Sequence, residues 1–200
     1  KLKNMKKYKI LLIIDAQNDF IDGALRNEEA IKTVPYIVEK IKNFNGDEII
    51  TTLDTHFDDY LKTKEGQKLP VPHCNWYTDG IKLNSQIMEA INNTDIKHTD
   101  INKKTFGSIL PCPFSFCESL PDHIQRVCKE MYNNSYELEI EMCGFCTDIC
   151  VVSNALILKA YFPDNADITV DAKGCAGTSV EAHNSALDVM NSCQIEIINR

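Results

Sequence analysis

The stretch KILLIIDA, residues 9–16, contains a continuous apolar run that ends at Asp15. An apolar run without alternation is typical of a strand that is buried on both faces of a parallel sheet. Parallel strands are joined by crossover connections, which are usually helices, so this segment favours an α/β architecture. We predict that residues 9–16 form the first strand.

Predicted helices and strands alternate along the rest of the chain. Asn27 can cap a helix that runs to about Asn43, and the β-branched segment from Glu48 to Leu53 predicts the second strand. The further predicted helices are Asn84–Ile91, Pro121–Tyr132, Asp148–Tyr161 and Val180–Cys193, and the further strands are Ile96–Lys103, Tyr136–Gly144, Ala166–Ala172 and Gln194–Ile198. This alternation predicts a doubly wound, mostly parallel six-stranded sheet with helices on both faces, a Rossmann-like three-layer fold.

Length and composition indicate one globular domain. The 200 residues are 44% hydrophobic and 25% charged, which is enough apolar material for one core. We therefore expect a single domain over residues 1–200. Met5 fits a natural start, so we expect residues 1–8 to form an N-terminal extension, with Lys1 to Asn4 extraneous.

The net charge of −8 argues against partners that are themselves anionic. Nucleic acid and anionic membrane surfaces would be repelled over most of such a surface. The longest purely apolar run, Ile10 to Ile14, is far shorter than the roughly 20 residues of a membrane-spanning helix. Because the N-terminus also lacks the pattern of a signal peptide, we expect a cytoplasmic protein.

Nine cysteines in a chain without an export signal predict free thiols rather than a disulfide framework. Cys143 and Cys146 have the spacing of a redox pair or of half a zinc site. No second pair of that spacing follows, so we assign neither role to them.

Reactive side chains occur where each of the first four predicted strands ends. They are Asp15, Asp54 with His56, Lys103, and Cys150 across a short turn. In an open parallel sheet, ligands bind outside the carboxyl ends of the strands. We therefore predict that these side chains meet in one site.

Cys150 is the candidate nucleophile of this site. We expect it just inside a helix that Thr147 or Asp148 caps, where the helix N-terminus would lower the pKa of the thiol. The alternative is that Cys150 is a small buried apolar residue, as most free cysteines are. Cys146 is the rival thiol, and the capping argument favours Cys150 over it.

Asp15 needs a cation nearby, because a buried carboxylate is costly without a partner. Lys103 or Lys104 can supply it, and a Lys–Asp pair beside a thiol can shuttle the proton of that thiol. The alternatives are solvated lysines and an Asp15 that merely caps the end of the strand.

Asp54 and His56 are two residues apart on an extended segment, so their side chains point to the same side. With His73, which follows Pro70 and Pro72 in the long connection of residues 54–80, they make a divalent-metal pattern with open positions. A surface loop without a metal is the alternative. Three other histidines are not part of such a metal-ligand pattern and are expected to be structural or exposed: His98, His123 and His183.

Five segments together resemble, in order, the motifs of the isochorismatase-like cysteine hydrolases, and among these most closely the nicotinamidases and pyrazinamidases. The segments are IDAQNDF (residues 14–20), DTH (54–56), PHC (72–74), KKTFGS (103–108) and CTDICV (146–151). The similarity spans roughly residues 10–198. It implies the isochorismatase-like form of the predicted fold.

The resemblance implies a catalytic triad of Asp15, Lys103 and Cys150. In the family the lysine precedes an aromatic residue by three positions, which selects Lys103 when Phe106 is that aromatic. The resemblance also implies a cis peptide before Cys146.

Two further roles follow from the resemblance alone. The backbone N–H groups of Cys146 and Cys150 would form an oxyanion hole, and Phe20 would line the substrate pocket.

The resemblance also assigns Asp54, His56 and His73 to one divalent ion, zinc in the first place, with iron or manganese as alternatives. Some relatives carry a further His shortly after the second ligand, and this chain has none there. Many nicotinamidases place an aromatic residue three positions before the loop His, where this chain has Pro70. We expect Trp76 to replace that aromatic wall.

The expected activity is hydrolysis of nicotinamide to nicotinate and ammonia through a Cys thioester. The expected partner is thus a small-molecule amide, and the resemblance also allows a homo-oligomer. One alternative is a related cysteine amidohydrolase acting on an N-carbamoyl compound or another small amide or ureide. The other is a non-catalytic binding protein that retains the fold.

Overall fold

The computed structural model describes residues 6–112, 118–132 and 136–200 of the chain. Six parallel strands form one sheet in the order β3-β2-β1-β4-β5-β6. Their bounds are β1 Lys6–Ile14, β2 Glu48–Asp54, β3 Lys97–Lys103, β4 Tyr136–Phe145, β5 Ala166–Ala176 and β6 Glu196–Ile198. This is the predicted doubly wound α/β fold, with the order reversing between β1 and β4.

Helices cover both faces of the sheet. Their bounds are α1 Asn18–Ile21, α2 Glu28–Asn43, α3 Lys64–Lys68, α4 Ser85–Asn92, α5 Leu120–Tyr132, α6 Val152–Tyr161 and α7 Val180–Ser192. Helix α2 packs against α4, whereas α6 packs against α5 and α7. Because crossovers between parallel strands are almost always right-handed, the reversal of strand order at β1 places the helices on opposite faces. None of these helices is long and apolar enough to cross a membrane.

The apolar run at the start of the chain forms the centre of the core. Ile10 to Ile14 are at most 1% exposed, since β1 lies between β2 and β4 and is covered on both faces. Burying each such side chain contributes about 1.5–3 kcal/mol. Asn27 caps α2 as predicted, because its side-chain oxygen accepts hydrogen bonds from the backbone N–H groups of Glu29 and Ala30.

Strand β1 begins and ends earlier than predicted. It ends at Ile14 because Asp15 has a φ of 46°, in the left-handed region that interrupts a strand. Residues 6–8, expected in an N-terminal extension, belong to β1, and the Tyr8 hydroxyl donates to Glu48 3.0 Å away. The rest of that expected extension, residues 1–5, lies outside the described residues.

Strand β5 continues to Ala176, although the sequence prediction ended it at Ala172. A register shift between Met142 and Gly144 of β4 allows the pairing to resume at Cys175. Lysine and glycine after Ala172 hide this continuation from sequence patterns. The extension brings the end of β5 level with the end of β4.

Candidate active site

The predicted reactive side chains meet at the carboxyl ends of four neighbouring strands. Asp15 follows β1, Asp54 and Lys103 are the last residues of β2 and β3, and Cys150 follows β4 after a turn. All four are buried. The site lies beside the switch point between β1 and β4, where ligands bind in open α/β sheets.

Lys103 lies at the centre of this site. Its Nζ lies 2.7 Å from Asp15 Oδ2, 3.6 Å from Cys150 Sγ and 3.5 Å from Asp54 Oδ1. We call Asp15, Lys103 and Cys150 the buried triad. Lys104, the alternative cation, instead places its Nζ 4.8 Å from the centre of the Phe57 ring. The geometry therefore selects Lys103, as the aromatic spacing indicated.

Asp15 is held by Thr52, a residue that sequence reasoning missed. The backbone N–H of Asp15 donates to the carbonyl and the hydroxyl of Thr52, both 3.1 Å away. The Thr52 hydroxyl in turn donates to Asp15 Oδ1 at 2.6 Å. These bonds hold Asp15 in its left-handed conformation, which costs about 1–3 kcal/mol. Threonine is common in strands, so a threonine at position 52 gives no indication of this role in the sequence.

Burial and the neighbouring charges shift the pKa values of all three triad residues. It raises the pKa of the Cys150 thiol well above its ordinary value, and the charge of Lys103 offsets only part of that rise. The pKa of Asp15 is raised for the same reason, against the opposing charge of Lys103. Burial lowers the pKa of Lys103, but the anionic neighbours outweigh it and raise that pKa well above its ordinary value. The expected lowering of the thiol pKa is therefore wrong.

The predicted helix cap before Cys150 is also wrong. Cys150 lies in a π turn, Thr147–Val151, that precedes α6 and has no side-chain cap. Thr147 Oγ1 instead contacts His183 Nδ1 at 2.8 Å, and Asp148 accepts hydrogen bonds from Thr178. A short side chain before a helix predicts a cap only where no better tertiary partner competes.

A second residue that sequence reasoning missed, Asn154, holds the turn of Cys150. Its side-chain N–H donates to the carbonyl of Cys150 at 2.8 Å and to that of Phe106 at 3.1 Å. The peptide bond between Phe145 and Cys146 is cis, as the resemblance implied. Cys146 and Cys150 both line the same cavity.

The predicted metal ligands lie together and gain a fourth member. Asp54, His56, Glu65 and His73 place one donor atom each within 4.8 Å of one another, and we call them the acid–imidazole cluster. His56 Nε2 lies 2.8 Å from Asp54 Oδ2 and 3.6 Å from Glu65 Oε1. His73 Nε2 lies 3.4 Å from the same Asp54 oxygen.

Glu65 was missed because the sequence of its helix is atypical. It belongs to α3, in the segment predicted as an irregular connection. Gly66 lowers the helix propensity there, although Thr63 caps the helix by accepting from the Gly66 N–H. The cap at Thr63 was the available signal.

The donor set of the acid–imidazole cluster fits a divalent ion. His73 Nδ1 lies 2.8 Å from the carbonyl of Val71, so a proton on Nδ1 leaves the Nε2 lone pair free for a metal. His56 Nε2 is buried, and its 2.8 Å contact with Asp54 Oδ2 lacks the geometry of a hydrogen bond. Two imidazole nitrogens with two carboxylates suit zinc, iron or manganese.

A cavity of about 490 Å³ is lined by Cys150 of the buried triad and by Asp54, Glu65 and His73 of the acid–imidazole cluster. Phe20 lines it, as the resemblance implied. Trp76 does not, which corrects the expected aromatic wall: it stacks on Phe57 and lines a separate groove. Leu69 lines the cavity, so the segment before His73 contributes an aliphatic rather than an aromatic side chain to the wall.

Among the described residues, the remaining cysteines and histidines do not line this cavity. The eight cysteines among the described residues are free thiols. His123 Nε2 lies 3.0 Å from buried Glu48, and His98 Nε2 contacts Thr51 at 2.9 Å. Both have structural surroundings, as expected.

Comparisons with known proteins identify the family of the chain and agree with its fold. The family model described as the isochorismatase domain matches residues 9–200. No curated protein sequence matches the chain significantly. Among solved structures, the pyrazinamidase/nicotinamidase of Streptococcus mutans is similar at 26% identity, covering 95% of this chain and 99% of that chain with a TM-score of 0.69.

Two further solved structures are similar over nearly their whole length. The nicotinamidase of Bacillus subtilis is 25% identical, covering 94% of this chain and 98% of that chain with a TM-score of 0.71. The pyrazinamidase of Pyrococcus horikoshii, solved in complex with zinc, is 22% identical, covering 96% and 99% with a TM-score of 0.69. At 22% identity, the similarity to the Pyrococcus horikoshii structure concerns the fold alone.

Proposed function

The chain belongs to the isochorismatase domain family, and from this membership we propose that it is an amide hydrolase that converts nicotinamide and water to nicotinate and ammonia. The observation that carries the proposal is the contact of Lys103 Nζ with Asp15, Cys150 and Asp54 alike. One buried cation thereby joins a nucleophile to a metal-binding group along a single cavity. The similarity to the nicotinamidase of Bacillus subtilis and the pyrazinamidase/nicotinamidase of Streptococcus mutans, at 25% and 26% identity, supports this substrate.

In the proposed first step, Cys150 Sγ attacks the carboxamide carbon while the thiol proton passes to Asp15. Burial raises the pKa of Asp15, which makes its carboxylate a stronger base toward the thiol proton. Lys103 remains charged throughout and stabilises the anionic sulfur and carboxylate in turn. The backbone N–H groups of Cys146 and Cys150 would hold the oxyanion, at about 3 kcal/mol for each donor.

In the second half of the reaction, Asp15 returns the proton to the leaving nitrogen, and the C–N bond breaks. Ammonia departs, and the acyl group remains on Cys150 as a thioester. Water then attacks the thioester, its proton passes through Asp15 to the sulfur, and nicotinate is released. The complete reaction consumes one amide bond and one water molecule, and it restores the thiol of Cys150.

The acid–imidazole cluster would orient the substrate in this scheme. A bound divalent ion supplies a Lewis-acidic contact for the ring nitrogen of the substrate. Phe20 would pack against the ring from the side of His73, since the two ring centroids lie 5.5 Å apart. The cavity then presents the carboxamide to Cys150.

One observation favours a second candidate, a cysteine amidohydrolase for an N-carbamoyl compound or another small amide. The segment before His73 contributes Leu69 rather than an aromatic residue to the cavity wall, so Phe20 and Phe106 are the only phenylalanine, tyrosine or tryptophan side chains that the described residues contribute to the lining. A ureide needs no ring stacking. The same triad would serve its hydrolysis.

An ammonia-release screen separates the two candidates. We expect kcat/KM to be highest for nicotinamide and pyrazinamide, because their ring nitrogen can use the acid–imidazole cluster. N-carbamoyl amino acids serve as the competing substrates in the same assay. A higher kcat/KM for any carbamoyl compound would establish the second candidate, and no ammonia from either class would reject both.

Metal binding gives a separate prediction. We expect one divalent ion per chain, lost in His56→Ala and retained in His98→Ala, a control on the edge strand β3. Because the ion orients substrate, chelation should raise KM more than it lowers kcat. Elemental analysis of protein purified without chelator measures the stoichiometry. Equal metal content in His56→Ala and the parent would reject this site.

A further inference from the structure

Asp19 lies in helix α1 directly before Phe20, and the reaction scheme gives it no role. Its side chain is largely buried and uses both carboxylate oxygens as acceptors. Oδ1 accepts from the backbone N–H of Ala24 at 3.0 Å, and Oδ2 accepts from the backbone N–H of Cys74 at 2.7 Å. Cys74 directly follows the cluster member His73. One carboxylate therefore ties α1 to the loop that carries His73.

This loop requires support because of the backbone conformation of Cys74. Its φ of 45° lies in the left-handed region, which is unusual for a residue other than glycine, asparagine or aspartate. Such a conformation costs about 1–3 kcal/mol and persists only where its surroundings hold it. The carbonyl of Cys74 accepts from the His56 N–H at 3.0 Å, and Asp19 holds the N–H of the same residue.

Two glycines make room for the Asp19 carboxylate. A Cβ atom at Gly80 would lie 2.0 Å from Asp19 Oδ2, and one at Gly23 would lie 2.4 Å from Oδ1. Both distances are far shorter than any contact a methyl group tolerates. The segments that carry Gly23 and Gly80 thus enclose the carboxylate. A methyl group at Gly80 would displace it from the N–H of Cys74.

We propose that Asp19 is a positioning residue that fixes the loop of residues 71–76, and thereby places His73 among the metal-binding side chains and against Phe20. Asp19 does not itself line the cavity. Its loss should therefore weaken metal binding and raise KM, while the buried triad keeps its geometry. The inference rests on the proposed metal-dependent function, but the loop contact can be measured without any metal.

The test compares Asp19→Asn and Gly80→Ala with the parent protein. The first replaces one acceptor oxygen by an N–H₂ group, and the second displaces the carboxylate from a different element. Asp22→Asn is the matched control, since Asp22 is exposed in the turn after α1. The measurements are amide hydrogen exchange of residues 71–76 in metal-free protein, zinc affinity by competition with a chromogenic chelator, and kcat and KM.

Both test variants should exchange faster than the parent over residues 71–76 and bind zinc about 10- to 100-fold more weakly, the usual effect of losing support behind a ligand. KM should rise with little change in kcat, and Asp22→Asn should match the parent. Unchanged exchange in both folded variants, or faster exchange with parent-like zinc affinity, would overturn the proposal. If one variant fails to fold, the other decides.

A parent protein that binds no zinc would reject the metal-dependent function rather than the loop contact. Hydrogen exchange alone then decides the role of Asp19. Faster exchange in both variants upholds it as the residue that fixes this loop, and parent-like exchange refutes it.

Discussion

Cys150→Ala is expected to abolish amide hydrolysis, with kcat lowered by about 10⁴-fold or more, as in enzymes that lose their nucleophile. Cys146→Ala should retain a measurable part of the activity. Both thiols line the cavity, but Lys103 Nζ lies 3.6 Å from the sulfur of Cys150 and gives that thiol its cation. Steady-state ammonia release from the two purified variants measures the difference.

The same pair of variants also tests the non-catalytic alternative. Thermal unfolding checks that each variant is folded, and the rate of thiol labelling in the parent compares Cys150 with the exposed Cys193. Full turnover by Cys150→Ala would refute the thioester mechanism. Loss of turnover in Cys146→Ala alone would transfer the role of nucleophile to Cys146.

Asp15→Asn should lower kcat by about 10²- to 10⁴-fold, the usual contribution of a positioned general base. The amide keeps the shape of the carboxylate but cannot accept the thiol proton. It also deprives Lys103 of its nearest anion, 2.7 Å away, and breaking a buried ion pair costs about 3–5 kcal/mol. We therefore expect a lower free energy of unfolding together with the loss of kcat.

Rate and stability must be separated in this variant. Urea unfolding gives the stability, and kcat is measured at a temperature where both parent and variant are fully folded. Asp100→Asn, a substitution of the same kind on β3, is the control and should keep the parent kcat. A folded Asp15→Asn protein with near-parent kcat would leave Asp15 with a purely structural role.

The fold could be predicted from the sequence because apolar strands and amphipathic helices alternate along most of it. Differences from the prediction occur where the backbone departs from regular geometry. The left-handed φ of Asp15 ends β1 early, and the register shift beside Gly144 lets β5 run on. Neither feature has a periodic signature, so hydrophobic patterns do not reveal it.

The candidate site was predictable to the extent that strand ends place its residues. The side chains of Asp15, Lys103 and Cys150 meet because parallel strands bring their carboxyl ends to one edge. Glu65 could not be predicted in the same way, since it enters the cluster from a short helix within a long connection. Contacts of this kind depend on the tertiary path of a loop rather than on local sequence.

The hydrogen-bond partners around Cys150 and the residues of the cavity wall could not be predicted from local sequence either. The helix cap was predicted from local chemistry, but His183 and Thr178 compete for the side chains concerned. Trp76 was expected to replace the aromatic wall that the resemblance implied, whereas it stacks on Phe57. In both cases the deciding partner is distant in the chain.

The division of the cavity between strands and loops bears on how this protein could change its substrate during evolution. The reacting groups are buried at or just after strand ends, whereas Leu25, Leu69 and Thr178 reach the cavity from connecting segments. Connecting segments tolerate substitution and insertion far better than a packed core does. A lineage with this architecture can therefore acquire new substrates by drift in its loops while it inherits the chemistry unchanged.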